Sequence, residues 1–175
     1  YASVGVGSPN HLGMELLMSM TGMNMVHVPY KGATPAMADL IAGQVQLAFN
    51  GMASVLPQIS IGKLKAIAIG SVQRSPAAPE VPTVAEACVA GFEYIAWNGN
   101  FAPAGTPPAV VAKISSDIRQ VLALPDLVQR LTSLGSQPSA STPLEFAAYL
   151  KEDHLRWSRV VNLIGLKQRV YSQLN

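Results

Sequence analysis

Ala2-Ser3-Val4-Gly5-Val6-Gly7-Ser8-Pro9 and, further on, Val28-Pro29-Tyr30-Lys31-Gly32-Ala33-Thr34-Pro35 share one plan: β-like residues, a glycine turn, then a Ser/Thr-Pro helix start. A Ser or Thr at the N-cap satisfies an orphan amide, and Pro at the first helical position presets φ without losing a hydrogen bond. Strand, turn and helix repeated in this order imply βαβ connections, hence an α/β fold with a mostly parallel sheet flanked by helices.

Outward from these units, Gly and Pro punctuate the rest of the chain. Residues 2–6 read as a strand, and the helix after Ser8 runs to about Met20, closed by Gly22. Residues 25–28 are the next strand, and the helix after Thr34-Pro35 ends at Ile41, closed by Gly43. A strand at 45–50 and a short helix near 55–61 follow. The continuous apolar run 65–71 is the kind expected of a strand covered on both faces. After a polar, proline-rich loop at 72–82, Thr83-Val84-Ala85-Glu86 has the capping-box pattern of a helix start, and 92–97 reads as strand. From Phe101 the pattern turns helical. One helix follows Thr106-Pro107, a break comes at Pro125, a second helix reaches about Leu134, and a long one runs from Thr142-Pro143-Leu144-Glu145 to Ile164. The apolar stripe Val110, Val111, Ile114, Ile118, Val121 and Leu122 needs cover. It belongs either to a helical appendage folded back on the first sheet or to half of a second lobe.

Composition removes several classes. Of 175 residues 49% are hydrophobic and 13% charged, too apolar for a disordered chain. No window offers the roughly 20 uninterrupted apolar residues of a membrane span. The net charge of +2 divides at Trp97 into 4 basic against 5 acidic residues before it and 8 against 5 after it, or −1 and +3. Neither part has the basic stripe with interleaved aromatics that nucleic acid requires. The single Cys88 excludes an internal disulfide or a cysteine metal cluster. The chain starts without Met, basic leader or apolar core of an export signal, so a fragment or a processed product is expected.

The chemistry is sought at the glycine turns. Glycine lets a ligand approach backbone amides, and the positive end of the helix dipole favours an anion. Both turns should open at the carboxyl edge of one parallel sheet, where ligands of open α/β folds bind. Taken singly, each is ordinary capping; together they point to a small ligand with one or more carboxylates. The first is not a dinucleotide fingerprint, since Asn10 holds the third glycine position, and it lacks the Gly-Lys-Ser/Thr end of a P-loop. Ser8 and His11 lie within one turn, but no Asp or Glu reads as orienting the imidazole, so no hydrolase is expected. His11, His27 and His154 are widely spaced without a paired carboxylate, and no metal site is expected. His27 reads as a core or edge histidine and Lys31 as a solvated surface residue. Met14, Met18, Met20, Met23 and Met25 read as core filler, and Asp153, His154, Arg156 and Arg159 as a solvated face.

The segments Gly7-Ser8-Pro9-Asn10-His11-Leu12, Val28-Pro29-Tyr30-Lys31-Gly32, Gly43-Gln44-Val45, Gly62-Lys63-Leu64-Lys65-Ala66-Ile67-Ala68, Val81-Pro82-Thr83-Val84-Ala85-Glu86-Ala87, Trp97-Asn98-Gly99 and Ala102-Pro103-Ala104-Gly105-Thr106-Pro107 carry a resemblance over the chain to Leu166, in order and spacing. This pattern resembles the substrate-binding proteins of tripartite tricarboxylate transporters, the Bug-type receptors. Trp157 and the Gly165-Leu166-Lys167 ending fit as well.

The resemblance implies a periplasmic-binding-protein-like fold (type II): residues 1–97 as the complete middle lobe with ligand-facing helix starts, and 98–175 as the helix-rich carboxyl-terminal part of the other lobe. It implies a periplasmic receptor and no enzyme, without a cofactor. Its partners would be a small di- or tricarboxylate or related organic acid and the membrane permease of a tripartite transporter. Gly7, Ser8, His11, Tyr30, Gly32, Ala33, Thr34 and Asn50 would form the ligand site. Family members are longer, with an export signal and a Pro-Gly-Gly ligand loop, and usually have glycine where Cys88 stands; the chain thus reads as a truncated form. The alternative expectation is a non-binding remnant that forms homodimers through its exposed helices.

Overall fold

The computed structural model describes residues 1–165. Leu166 and Lys167, part of the sequence match, lie outside the described residues. The elements in order are β1 (Ala2–Ser3), α1 (Pro9–Thr21), β2 (Val28–Pro29), α2 (Ala33–Ile41), α3 (Met52–Ser60), α4 (Val84–Ala87), α5 (Pro108–Leu122), α6 (Pro125–Ser133) and α7 (Pro143–Leu163). Among the described residues no helix is long and apolar enough to cross a membrane.

β1 and β2 pair in parallel, Ala2 opposite Val28 and Ser3 opposite Pro29. The ladder is short because Pro29 has no N–H to donate and the chain leaves β1 through Gly5 at φ 135°. Of the strand expected at 45–50 only Ala48 joins the sheet, as a parallel bridge to Ala2. The run 65–71 is not a strand covered on both faces. It bridges only at Ile69 to Thr83, and Ile67 is 65% exposed. Nor is 92–97 a strand; Tyr94 donates its amide to Gly70, and no ladder forms along the segment.

Two apolar clusters hold the elements. Ala2, Ala36 and Val45 are buried between the sheet and α2, with Val28, Tyr30, Leu40 and Ala48 against them. Val84, Val89, Phe92 and Tyr94 form the second cluster, packed by Leu16 and Leu17 of α1, Phe49, Ala68 and Trp157 of α7. Gly13 lets α1 lie close over Tyr94, since a Cβ there would stand 3.2 Å from the ring. Burial pushes the Tyr94 phenol up to about 12, with Asp153 adding to the effect, so it stays neutral.

α7 is anchored to the earlier residues. Trp157 meets Tyr94 edge-on at 5.6 Å, and Arg156 lies 3.7 Å from Glu93. Asp153, expected on a solvated face, instead accepts the Trp97 indole N–H at 3.0 Å, and its side chain is only 11% exposed. α5 and α6 bury no residue among those described. The methionine expectation holds for Met14, which is 1% exposed, and fails for Met20 in the last turn of α1 and Met23 just beyond it, which are both more than 40% exposed.

The Ser/Thr-Pro rule is followed at two of its four sites. Ser8 caps α1, accepting the His11 amide at 3.4 Å, and Thr142 caps α7 in a full capping box with Glu145. Thr83 and Glu86 form the expected box at α4. Thr34 and Thr106 cap nothing. Gly32, at φ 120°, takes the N-cap of α2, so Thr34 already lies inside the helix. At α5 the N-cap is Pro107, held extended at ψ 138° by the proline that follows it.

Candidate functional site

The parallel pairing of β1 and β2 sends the turns at residues 5–8 and 30–33 out of the same edge. Tyr30 donates its amide to Ser3 at 3.0 Å, and a Cβ on Gly5 would lie 3.9 Å from the Tyr30 carbonyl oxygen, so the two turns touch. Residues 48–50 leave the same edge on the other side of β1, through the bridge of Ala48 to Ala2. Asn10, in the first turn of α1, donates its side-chain amide to the Phe49 carbonyl and, at 3.0 Å, to the Asn50 side-chain oxygen. Asn50 is thereby fixed beside the start of α1. Sequence reading missed this role of Asn10; its appearance directly after Ser-Pro was the available signal.

The two helix starts differ electrically. The Ser8 hydroxyl occupies part of the α1 start, whereas no side chain caps α2. The first amides of α2, with Gly32 partly buried and Ala33 and Thr34 exposed, are therefore the more open of the two helix starts. The exposed Thr34 hydroxyl stands in the first turn of that helix, free of a capping role.

Three of the expected residues are engaged from inside the fold. The Tyr30 hydroxyl donates to Asp39 at 2.7 Å, which raises its pKa and ties β2 to α2. The Gly7 amide turns inward and donates to His11 Nδ1 at 3.1 Å. His11 itself is 3% exposed, beneath the turn. Its Nε2 lies 3.4 Å from Glu15 Oε1, one helical turn on. The expectation that no carboxylate orients this imidazole is thus overturned, and the i, i+4 spacing of His11 and Glu15 was the legible signal. The pair still makes no nucleophile: both ring nitrogens are engaged, and Ser8 Oγ meets the His11 backbone amide and not the ring.

His27 is half-buried and stacks on His11 at 4.0 Å with 12° between the rings, and its Nε2 lies 2.6 Å from Ser3 Oγ. Burial, reinforced by His11, lowers its pKa to about 4. Lys31 is exposed. A depression of about 480 Å³ lined by Thr106, Val111, Ser115, Arg119 and Pro143 lies between α5 and the start of α7 and shares no residue with the glycine turns.

Comparison with known proteins gives one consistent picture. Residues 1–166 match the family described as tripartite tricarboxylate transporter family receptor. A curated relative, the UPF0065 protein in the tcbD-tcbE intergenic region of Pseudomonas sp. (strain P51), is 37% identical over 92% of this chain. The chain spans 48% of that relative's length. Among solved structures, the R. palustris protein Rpa4515 with adipate has a TM-score of 0.89 at 30% identity, covering 94% of this chain and 55% of its own. The periplasmic binding protein BugD has a TM-score of 0.85 at 35% identity, over 94% of this chain and 56% of its own.

Proposed function

The chain belongs to the family of tripartite tricarboxylate transporter receptors, solute-binding proteins and not enzymes, and on that premise we propose that its protein is a periplasmic receptor for a small dicarboxylate or related organic acid. The observation that carries the reading is the convergence of the uncapped α2 start, the Ser8 turn and Asn50 at one edge of the parallel pair. One carboxylate sits against the amides at Gly32, Ala33 and Thr34, and Ser8 and Asn50 supply side-chain donors beside it. His11 and Tyr30 shape the site from below. Residues 1–97 form the lobe that carries these contacts, and the described residues from 98 to 165 belong to its companion lobe, with α7 reaching back to Glu93, Tyr94 and Trp97. The filled receptor delivers its acid to the membrane permease of a tripartite transporter.

Calorimetry and thermal denaturation with adipate, malate, citrate and the corresponding diamides test this. The acids are expected to give saturable heat and a raised Tm, at 100 times Kd worth about 2.7 kcal/mol, with no response to the diamides. Silence toward every acid overturns it.

A second reading is favoured by one observation: Val110, Ile114, Val121 and Leu124 of α5 and its exit are each 45–54% exposed. On that reading two copies associate through this stripe, and light scattering decides, a strictly monomeric species ruling it out.

A further inference from the structure

Beneath the turn at residues 5–8 lies a column of buried polar groups, of which the carboxylate reading uses only His11. His11 Nδ1 accepts the Gly7 N–H at 3.1 Å, while its Nε2 faces Glu15 at 3.4 Å. The Tyr1 hydroxyl donates to the same Glu15 oxygen at 2.9 Å. Ser3 Oγ, beside His27 Nε2, donates to the Gly5 carbonyl and accepts the Gly5 amide, both at 3.1 Å. Gly5 and Gly7 are thus each held by a polar side chain beneath the turn. His11, Glu15 and Ser3 are 3%, 6% and 2% exposed, so water cannot replace these bonds without local opening.

We propose that His11 is the positioning residue of the carboxylate site, holding the Gly7 amide and with it the Ser8 turn, and that it does so only as a neutral acceptor. The proposal rests on the reading above that residues 5–8 face the ligand. Glu15 next to Nε2 fixes the tautomer with the proton on Nε2 and the lone pair on Nδ1, the only form that can accept from Gly7. A second proton goes to Nδ1. It sets two N–H groups against each other, the turn loses its anchor, and the preorganised site loosens. The titratable groups facing His11 are Glu15 on its own helix, the Tyr1 phenol just before β1, and His27 on the approach to β2. Glu15 favours the added proton, and the His27 ring stacked at 4.0 Å opposes a charge on both rings. Ligand affinity is therefore linked to protons through a residue that does not touch the ligand.

Two measurements on the chain test this between about pH 8 and about pH 5. In ligand-free NMR spectra the Gly7 amide resonance is expected to follow the His11 ring through one titration. In calorimetry with adipate, affinity is expected to fall about tenfold over the same range, a loss of about 1.4 kcal/mol. His11→Asn, whose Oδ1 replaces Nδ1 as acceptor but does not titrate, is expected to flatten the profile. His11→Leu, with no acceptor, is expected to be weak at every pH. A His11→Asn profile parallel to the parent, or a Gly7 resonance indifferent to the His11 titration, overturns the proposal. A Gly7 resonance that follows His11 in a chain giving no adipate heat at any pH upholds the positioning role and counts instead against the carboxylate reading.

Discussion

Asn10 and Asn50, forty residues apart, are joined by an amide hydrogen bond of 3.0 Å that locks the start of α1 to the end of the segment beside β1. The same Asn10 amide holds the Phe49 carbonyl, so one side chain ties the start of α1 to two successive residues of that segment. Asn10→Ala is expected to cost about 1–3 kcal/mol in urea denaturation, because it leaves partly buried acceptors without a donor. Asn10→Asp is expected to cost more, since it turns a carboxylate toward two oxygens. Equal stability of the two variants would contradict this arrangement.

Thr34 and Thr142 both precede proline, yet only Thr142 caps a helix. Thr142→Ala should lower stability by about 1 kcal/mol through loss of the capping box. Thr34→Ala should leave stability nearly unchanged and weaken binding of dicarboxylates. Thermal melts of both variants with and without adipate separate the two roles.

Gly32 and Gly70 resist substitution for different reasons. A Cβ at Gly32 meets nothing within 4 Å, but φ 120° is closed to side-chain-bearing residues, so Gly32→Ala is expected to cost about 1–3 kcal/mol of backbone strain and to disturb the α2 start. At Gly70 the added Cβ would meet the Tyr94 carbonyl at 2.8 Å and the Phe49 ring at 3.0 Å. Gly70→Ala is therefore expected to part the second cluster, seen as lost near-UV dichroism and early unfolding.

Trp157 is half-buried and meets Tyr94 edge-on. Trp157→Ala is expected to destabilise the chain by about 2 kcal/mol or more, and a double-mutant cycle with Tyr94→Leu should return about 0.5–1.5 kcal/mol of coupling. Zero coupling would mean that the edge-on contact adds nothing to what Trp157 contributes by burial against the rest of the cluster.

His27 makes stability depend on pH with a definite sign. Its folded pKa of about 4 lies below the ordinary 6.5, so between those values the unfolded chain binds more protons than the folded one. Stability is complete above about 6.5 and is lost as pH falls toward about 4. Urea midpoints at pH 7, 5.5 and 4.5 should decline in that order, and His27→Gln should decline less steeply.

What the sequence discloses is what local rules govern. The closure of α1 by Gly22, the capping boxes at Thr83-Glu86 and Thr142-Glu145, the break at Pro125 and the shared edge of the two glycine turns all follow from short-range stereochemistry. Contacts that cross the chain do not. Trp97 and Asp153 are 56 residues apart, and nothing near Asp153 distinguishes it from a solvated helix acid. The strands at 45–50, 65–71 and 92–97 were overread because apolar content shows that a segment is covered, not that a neighbour pairs with it. Thr34 was misplaced by two positions because Gly32 can adopt a backbone shape that lets the helix begin earlier. At the site, the glycines, Ser8 and Asn50 were legible as types, whereas the inward turn of the Gly7 amide depends on His11 lying below it.

The bare start of α2 has a consequence for the proposed receptor's energetics. A helix whose opening amides face solvent without a side-chain acceptor is an unfinished piece of secondary structure, and a bound carboxylate completes it. On the proposed function the acid would serve as the N-cap that the sequence withholds, so that binding it and ordering the first turn of α2 would be a single event, and hydrogen exchange at Ala33 and Thr34 should slow in step with occupancy.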